Sequence, residues 1–158
     1  MIINGTTLLH YAPIKDMLDH KVRGKITSHG LSEAGYDIRI KQDIAFRPVH
    51  DRMTVNGRPG RFTIASAVEE FDMPFDLVGV VHDKSTWARR GLSVFNTVLE
   101  PGWEGFLTLE LVYYGNGELI IPAGSGIAQV LFHSTAKLAQ YDGKYQNQPD
   151  HPVAAIDG

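Results

Sequence analysis

Between residues 80 and 132 the chain sets several chemically capable side chains at close spacing. Lys84, Ser85 and Thr86 are followed by Arg89 and Arg90, which concentrates hydroxyl donors and cations in one short segment. That combination suits phosphate, because the cations supply charge and the hydroxyls supply directed hydrogen bonds. The segment is not a P-loop, since the glycines and the Gly-Lys-Ser/Thr ending are absent. Clusters of this kind also occur on solvated surfaces, so alone it is a weak sign. Downstream, Glu100-Pro101-Gly102-Trp103 places a carboxylate on a Pro-Gly turn, and Thr108-Leu109-Glu110-Leu111-Val112 places another among apolar residues.

Glu110 is the informative residue. At period 2, Phe106, Thr108, Glu110 and Val112 share one face of a strand, and Leu107, Leu109 and Leu111 share the other. The leucine face is the natural core face, which sends Glu110 to the opposite, partly apolar side. A carboxylate there bears a desolvation cost, finds a partner, or has its pKa raised into the range useful for proton transfer. Taken alone, it reads as an ordinary solvated strand glutamate. With a serine, an arginine and a turn-borne carboxylate in the preceding segment, the catalytic reading is preferred.

The elements that must position these groups are short. Residues 13–22 place Ile14, Met17, Leu18 and Val22 at helical spacing after Pro13, which predicts one short amphipathic N-terminal helix ended by Gly24. Tyr36, Ile38 and Ile40 alternate with Asp37, Arg39 and Lys41, which predicts a half-buried strand in which Asp37 and Arg39 either pair with each other or face a site. Residues 49–61 have the look of a hairpin around Asn56-Gly57. Strands are expected at 62–67, 75–81, 118–121 and 127–132, with 69–74 a polar connection. Short strands punctuated by Gly and Pro point to an all-β barrel or sandwich. No internal repeat and no domain boundary is visible, so residues 1–158 read as a single β domain. The tail, about residues 138–158, carries Tyr141, Lys144, Tyr145 and Gln148 and reads as mobile until something binds it.

Composition narrows the classes. The chain has 158 residues, 43% hydrophobic and 21% charged, enough for one domain with a real core. The net charge of −3 argues against nucleic acid as a partner. No apolar run approaches a membrane span and no secretory signal is evident, so a cytoplasmic protein is the default reading. The absence of cysteine removes disulfides, thiol nucleophiles and every Cys-containing zinc site, and the seven histidines are scattered.

Four motifs, in order, resemble those of the deoxycytidine triphosphate (dCTP) deaminases, members of the trimeric dUTPase superfamily. Ala34-Gly35-Tyr36-Asp37-Ile38-Arg39 looks like the family's S-x-Y-D-[IL]-R strand. Lys84-Ser85-Thr86-Trp87-Ala88-Arg89-Arg90-Gly91-Leu92 is similar to R-S-S-L-A-R-L-G-L. Glu100-Pro101-Gly102-Trp103-Glu104-Gly105, followed by Thr108-Leu109-Glu110-Leu111, resembles D-x-G-[WF]-x-G then [TV]-L-E-[LF]. Gly143-Lys144-Tyr145-Gln146-Asn147-Gln148 looks like the closing K-Y-[QR]-x-Q.

The resemblance implies a distorted, jelly-roll-like β-barrel, a homotrimer with active sites between subunits, magnesium bound through the nucleotide triphosphate, and deamination without zinc. Glu110 would shuttle the proton from a water attacking C4 of cytosine. Ser85 would hold that water or its oxyanion, and Arg89 would pair with Glu110. By the same correspondence Lys84 and Thr86 would bind phosphate, Glu100 the deoxyribose 3′-hydroxyl, and Trp103 the substrate. Thr97 or Val98 would offer a carbonyl to the water, while Tyr141, Lys144 and Gln148 would close over sugar and phosphates. Three departures stand out: Lys84 in place of Arg, Glu100 in place of Asp, and a loop at 95–99 about two residues shorter than the family's by pattern matching. A modified cytosine or a monophosphate therefore stays open as substrate. A dUTPase, a bifunctional enzyme forming dUMP, and a non-catalytic nucleotide-binding regulator are the alternatives. Glu110 and the K-Y-Q-x-Q tail favour the deaminase.

Overall fold

The computed structural model describes residues 1–48 and 61–158. The hairpin expected over residues 49–61 lies, apart from Arg61, outside the described residues. Those described form strands β1 (Ile2–Ile3), β2 (Lys21–Val22), β3 (His29–Leu31), β4 (Tyr36–Arg39), β5 (Ile44–Phe46), β6 (Arg61–Asp72), β7 (Leu77–Asp83), β8 (Leu92–Val94), β9 (Val98–Leu99), β10 (Glu104–Tyr113), β11 (Leu119–Ile121) and β12 (Gly126–Ser134). Two short helices, α1 (Gly5–Tyr11) and α2 (Ser85–Ala88), join them.

Strand β12 centres the largest sheet, ordered β2-β3-β4-β12-β7-β9, with β1 also paired to β12. Its alternation explains the placing: Ala128, Val130 and Phe132 are fully buried, whereas Gln129, Leu131 and His133 between them are only partly covered. A second sheet is ordered β6-β10-β8, and β5 pairs with β11. The core lies between the sheets, where Ile38, Ile40, Val81, Val130 and Phe132 cluster with Ala65, Phe71, Leu109 and Leu111. The all-β expectation holds, and every strand pairing among the described residues is antiparallel.

Two local expectations are overturned. Residues 13–22 do not form a helix; α1 lies before them and ends at Ala12, whose backbone is left-handed at φ 48. Pro13 and Lys15 instead exchange backbone hydrogen bonds with Asp72 and Glu70, and Ile14 bridges Phe71. Pairing with the end of β6 buries Ile14 more fully than a surface helix would, so tertiary contact overrides a pattern of helical spacing. Residues 69–72, read as a polar connection, belong to β6.

That misreading came from Glu69, which is buried at 5% exposure. Its carboxylate accepts hydrogen bonds from both the backbone N–H and the Nε–H of Arg39, each at 2.8 Å. Burial pushes the Glu69 carboxyl above its usual range, and Arg39 opposes the shift. The β6–β10 register jumps between Phe106 and Thr108, and there β6 turns to Ile40 through the Ile40–Ala67 bridge. Glu69 thus ties the two sheets together where β6 leaves its partner. Asp37 and Arg39 accordingly do not pair with each other; Asp37 takes Lys84 and Arg39 takes Glu69. Replacing Glu69 by Ala is expected to cost about 2–4 kcal/mol in denaturant melts, the lower part of the range for a broken buried pair because Arg39 keeps some contact with water; a loss under about 0.5 kcal/mol would remove this tie from the account.

Candidate active site

All the sequence-predicted residues but Arg89 and Lys144 fall into two separate cavities that share no lining residue. The first, of about 450 Å³, holds Glu110 together with Thr97, Val98, Glu100, Trp103, Tyr141 and Gln148. The second, of about 540 Å³, is lined by Lys84, Ser85 and Thr86 with Asp37 and Gln129. Arg89 lines neither of these cavities, and Lys144 is held by the tail itself.

Glu110 stands where its strand sends it. Leu109 and Leu111 are buried at 1% and 0%, so the intervening carboxylate faces away from them into the first cavity. Its neighbours across the ladder are apolar: Ile64 is its direct partner on β6, and Phe95 donates its N–H to the Glu110 carbonyl on the other side. Among the described residues Oε2 is buried without a hydrogen-bond partner. Burial therefore pushes the Glu110 carboxyl above the usual carboxylate range, with a backbone hydrogen bond opposing. The pairing with Arg89 is not made within the chain: Arg89 is exposed at the end of α2, and no ion pair reaches it among the described residues.

At the rim of this cavity, Thr97 and Val98 differ. The Thr97 carbonyl accepts the Val81 N–H at 3.0 Å, and Val98 sits directly opposite Val80. In an antiparallel pair this turns the peptide groups of Val98 away from β7, leaving its carbonyl the available one. Glu100 is exposed beside the Pro-Gly turn, whereas Trp103 is a core residue, 5% exposed and packed on Phe71.

The tail is docked, not free. The Trp103 indole N–H donates to the Tyr145 carbonyl at 2.6 Å, Tyr141 N–H to Pro101 at 2.8 Å, and Phe106 N–H to the Gln148 carbonyl at 3.1 Å. Gln148 Oε1 accepts from the Thr108 N–H and hydroxyl, and the Val153 N–H bonds to the same hydroxyl. The close approach requires glycine at position 105: a Cβ there would meet Gln148 N at 2.5 Å. Lys144 Nζ donates to the Ile156 carbonyl, so Val153, Ala154 and Ala155 are laid across the Glu110 cavity.

In the second cavity, α2 is fixed by Trp87, which is buried at 1% and donates its indole N–H to the Gly126 carbonyl at 2.7 Å. This leaves Ser85 and Thr86 at the surface. Lys84 is tied to Asp37, a carboxylate 3% exposed whose Oδ1 has no hydrogen-bond partner among the described residues. Hydroxyls, two cations (Lys84 and Lys21, the latter also paired with Glu33) and a buried carboxylate oxygen make a polar lining suited to phosphate and its counter-ion.

Sequence reasoning missed Tyr145, Val153–Ala155, Phe62 and Ile64 in the first cavity and Gln129 in the second. Tyr145 lay inside a quoted tail motif. Phe62 and Ile64 left no signal, because alternation gives a strand its faces but not its partner.

Comparison with known proteins gives the family and the fold. A family model described as dCTP deaminase-like matches residues 48–135. A Herpetosiphon aurantiacus protein named dCTP deaminase is 35% identical over 158 residues, covering 85% of this chain and 86% of the relative. This chain belongs to the dCTP deaminase-like family. Relatives carrying the same name include those of Roseiflexus castenholzii, 35% identical with 87% of this chain and 88% of the relative covered, and Pseudomonas aeruginosa, 32% identical with 85% and 86% covered. Among solved structures, the EIAV dUTPase superposes with a TM-score of 0.54 at 18% identity, covering 84% of this chain and 91% of that one. The dUTPase of Staphylococcus bacteriophage 80alpha gives 0.53 at 14%, covering 82% and 91%. The family's dUTPase-like fold is thereby established for this chain.

The raised pKa of Glu110 has a stability consequence of definite sign. Between the ordinary carboxylate pKa and the raised one the folded state binds more protons than the unfolded, so the group's contribution to stability falls as pH rises through that window. Glu110→Gln is expected to melt at a higher temperature than the wild type at pH 7, with the difference gone below the ordinary carboxylate range. Calorimetry at both pH values checks this, and a lower melting temperature at pH 7 would contradict it.

Proposed function

We propose that this chain is a zinc-independent enzyme that hydrolytically deaminates dCTP to dUTP and ammonia, acting as a homotrimer. The observation that carries the reading is Glu110, a carboxylate with one buried oxygen that has no partner among the described residues, in a largely apolar cavity, in a chain whose relatives bear the name dCTP deaminase. Glu110 takes a proton from water as its oxygen bonds to C4, and delivers it to N3. A second proton from the hydroxyl reaches the amino group through the same carboxylate, and the C4–N bond breaks to release ammonia. General acid–base transfer of this kind is worth about 10²–10⁴ in rate. A raised pKa suits a group that must both accept and return the proton. Val98 offers its carbonyl to the water, Ser85 holds the developing oxyanion, and Arg89 orients Glu110.

The division into two cavities supports the trimer. Ser85, Thr86 and Lys84 line one surface and Glu110 another, so a complete site forms when the α2 surface of one subunit covers the Glu110 cavity of its neighbour. Glu100 and Tyr141 take the sugar, and the tail with Lys144 and Gln148 closes over sugar and phosphates. Magnesium held by the triphosphate would neutralise phosphate charge, and the residues fit it: Asp37 Oδ1 is a buried carboxylate oxygen at the polar cavity with no partner among the described residues, an oxygen of the kind magnesium and its water shell favour.

Incubation with dCTP and identification of products tests the reaction. Ammonia with dUTP is expected; ammonia with dUMP and pyrophosphate would make the enzyme bifunctional, and pyrophosphate from dUTP alone would make it a dUTPase. Glu110→Gln is expected to retain nucleotide binding and lose at least about 10²-fold in ammonia release; full activity would remove Glu110 from the mechanism. Mixing inactive Ser85→Ala with inactive Glu110→Gln subunits is expected to restore part of the activity by forming sites with both residues intact. No recovery after confirmed subunit exchange would place Ser85 and Glu110 of each site on one chain.

A further inference from the structure

Beyond Glu110 the first cavity ends in hydrocarbon. Ile64 on β6 stands directly across from Glu110 and Phe62 directly across from Val112, two residues farther along β10. The Phe62 and Phe95 rings lie 6.3 Å apart, and Phe62, Ile64 and Val98 all line the cavity. In the other direction along β10, Thr108 lies two residues from Glu110 and its N–H and hydroxyl donate to Gln148; Thr97, Glu100 and Tyr141 also line the cavity. The two ends therefore differ in character, with Glu110 at the boundary.

The orientation of a cytosine follows from the deaminase reading, on which this inference rests. N1 carries the sugar, and C4 lies across the ring from N1. With the sugar at Glu100 and Tyr141, and with the N3–C4 edge at Glu110 because N3 takes its proton there, C5 is the remaining edge beside C4, and a substituent on it is directed along the wall of Ile64 and Phe62. Among the described residues, the side chains of Ile64, Phe62 and Val98 that line this part of the cavity are hydrocarbon, which offers little to a hydroxyl and much to a methyl. We propose that the site accepts 5-alkylated deoxycytidine nucleotides at least as well as the unsubstituted one, with Ile64 and Phe62 as the residues that receive the 5-substituent.

The test compares ammonia release from 5-methyl-dCTP and dCTP at equal magnesium. The kcat/KM ratio, methylated over plain, is expected between one and about fourfold, the upper value corresponding to burial of one methyl at about 0.8 kcal/mol. Ile64→Thr and Phe62→Ser are each expected to lower that ratio at least threefold; Phe62 is 62% exposed, which makes its replacement tolerable to the fold. Dissociation constants of the two nucleotides for Glu110→Gln provide a readout independent of turnover and are expected to show the same preference. Turnover of dCTP with tenfold or greater rejection of 5-methyl-dCTP, or a ratio unmoved by both substitutions, would sink the inference while leaving the deaminase intact. If Phe62→Ser instead dissociates the oligomer with the ratio unchanged, the apolar wall is a subunit contact and the inference fails. Release of ammonia from neither nucleotide would overturn the deaminase reading itself, and this inference with it.

Discussion

The arrangement depends on strand β10 being unable to slip. It is paired along one edge with β6 and along the other with β8, and Leu109 and Leu111 are packed in the core on either side of Glu110. Side chains alternate at a period of two, so a shift of one residue would carry a carboxylate into the core and a leucine out to the cavity. The desolvation of that carboxylate would be far costlier than any single backbone bond gained. The register that builds the core is therefore also what aims Glu110.

Three of the carboxylates, Glu69, Asp37 and Glu110, meet different fates. Glu69 is met by Arg39 and joins two sheets. Asp37 is met by Lys84 through one oxygen, with the other left unpartnered among the described residues. Glu110 has no ionic partner among the described residues. Paired charges hold structure, whereas a carboxylate kept from its counter-ion retains a raised pKa and the capacity to exchange a proton. The contrast makes Glu110 chemically distinct within its own fold.

The tail extends the same logic to the cavity's cover. Gly105 lets the backbone of Gln148 approach β10, and the Thr108 hydroxyl donates to Gln148 Oε1 and accepts from the Val153 N–H. The cover is thus anchored two residues from Glu110 on the same strand face. The cover and the carboxylate therefore share one supporting strand.

Much of this was legible from residue order alone. The alternation of Leu107, Leu109 and Leu111 against Thr108 and Glu110 gave the face of the carboxylate, and the motifs around Ser85, Glu100, Glu110 and Lys144 gave the family, because such patterns are local and survive in one dimension. The helix read at residues 13–22 failed, since Ile14 bridges Phe71 far along the chain and no local spacing records that partner. The connection read at 69–74 failed for a like reason: Glu69 is polar in sequence, and only Arg39 on another sheet makes it buriable. Which strand lies beside Glu110, and hence the apolar wall of Ile64 and Phe62, was set by pairing register. The resemblance implied sites between subunits, but that Ser85 and Glu110 line different cavities followed only from the fold. The sequence by itself determined which side chains can do the chemistry, because identity and period are written in it; the tertiary structure alone decided which of them meet, because contacts between distant segments follow from burying one shared core.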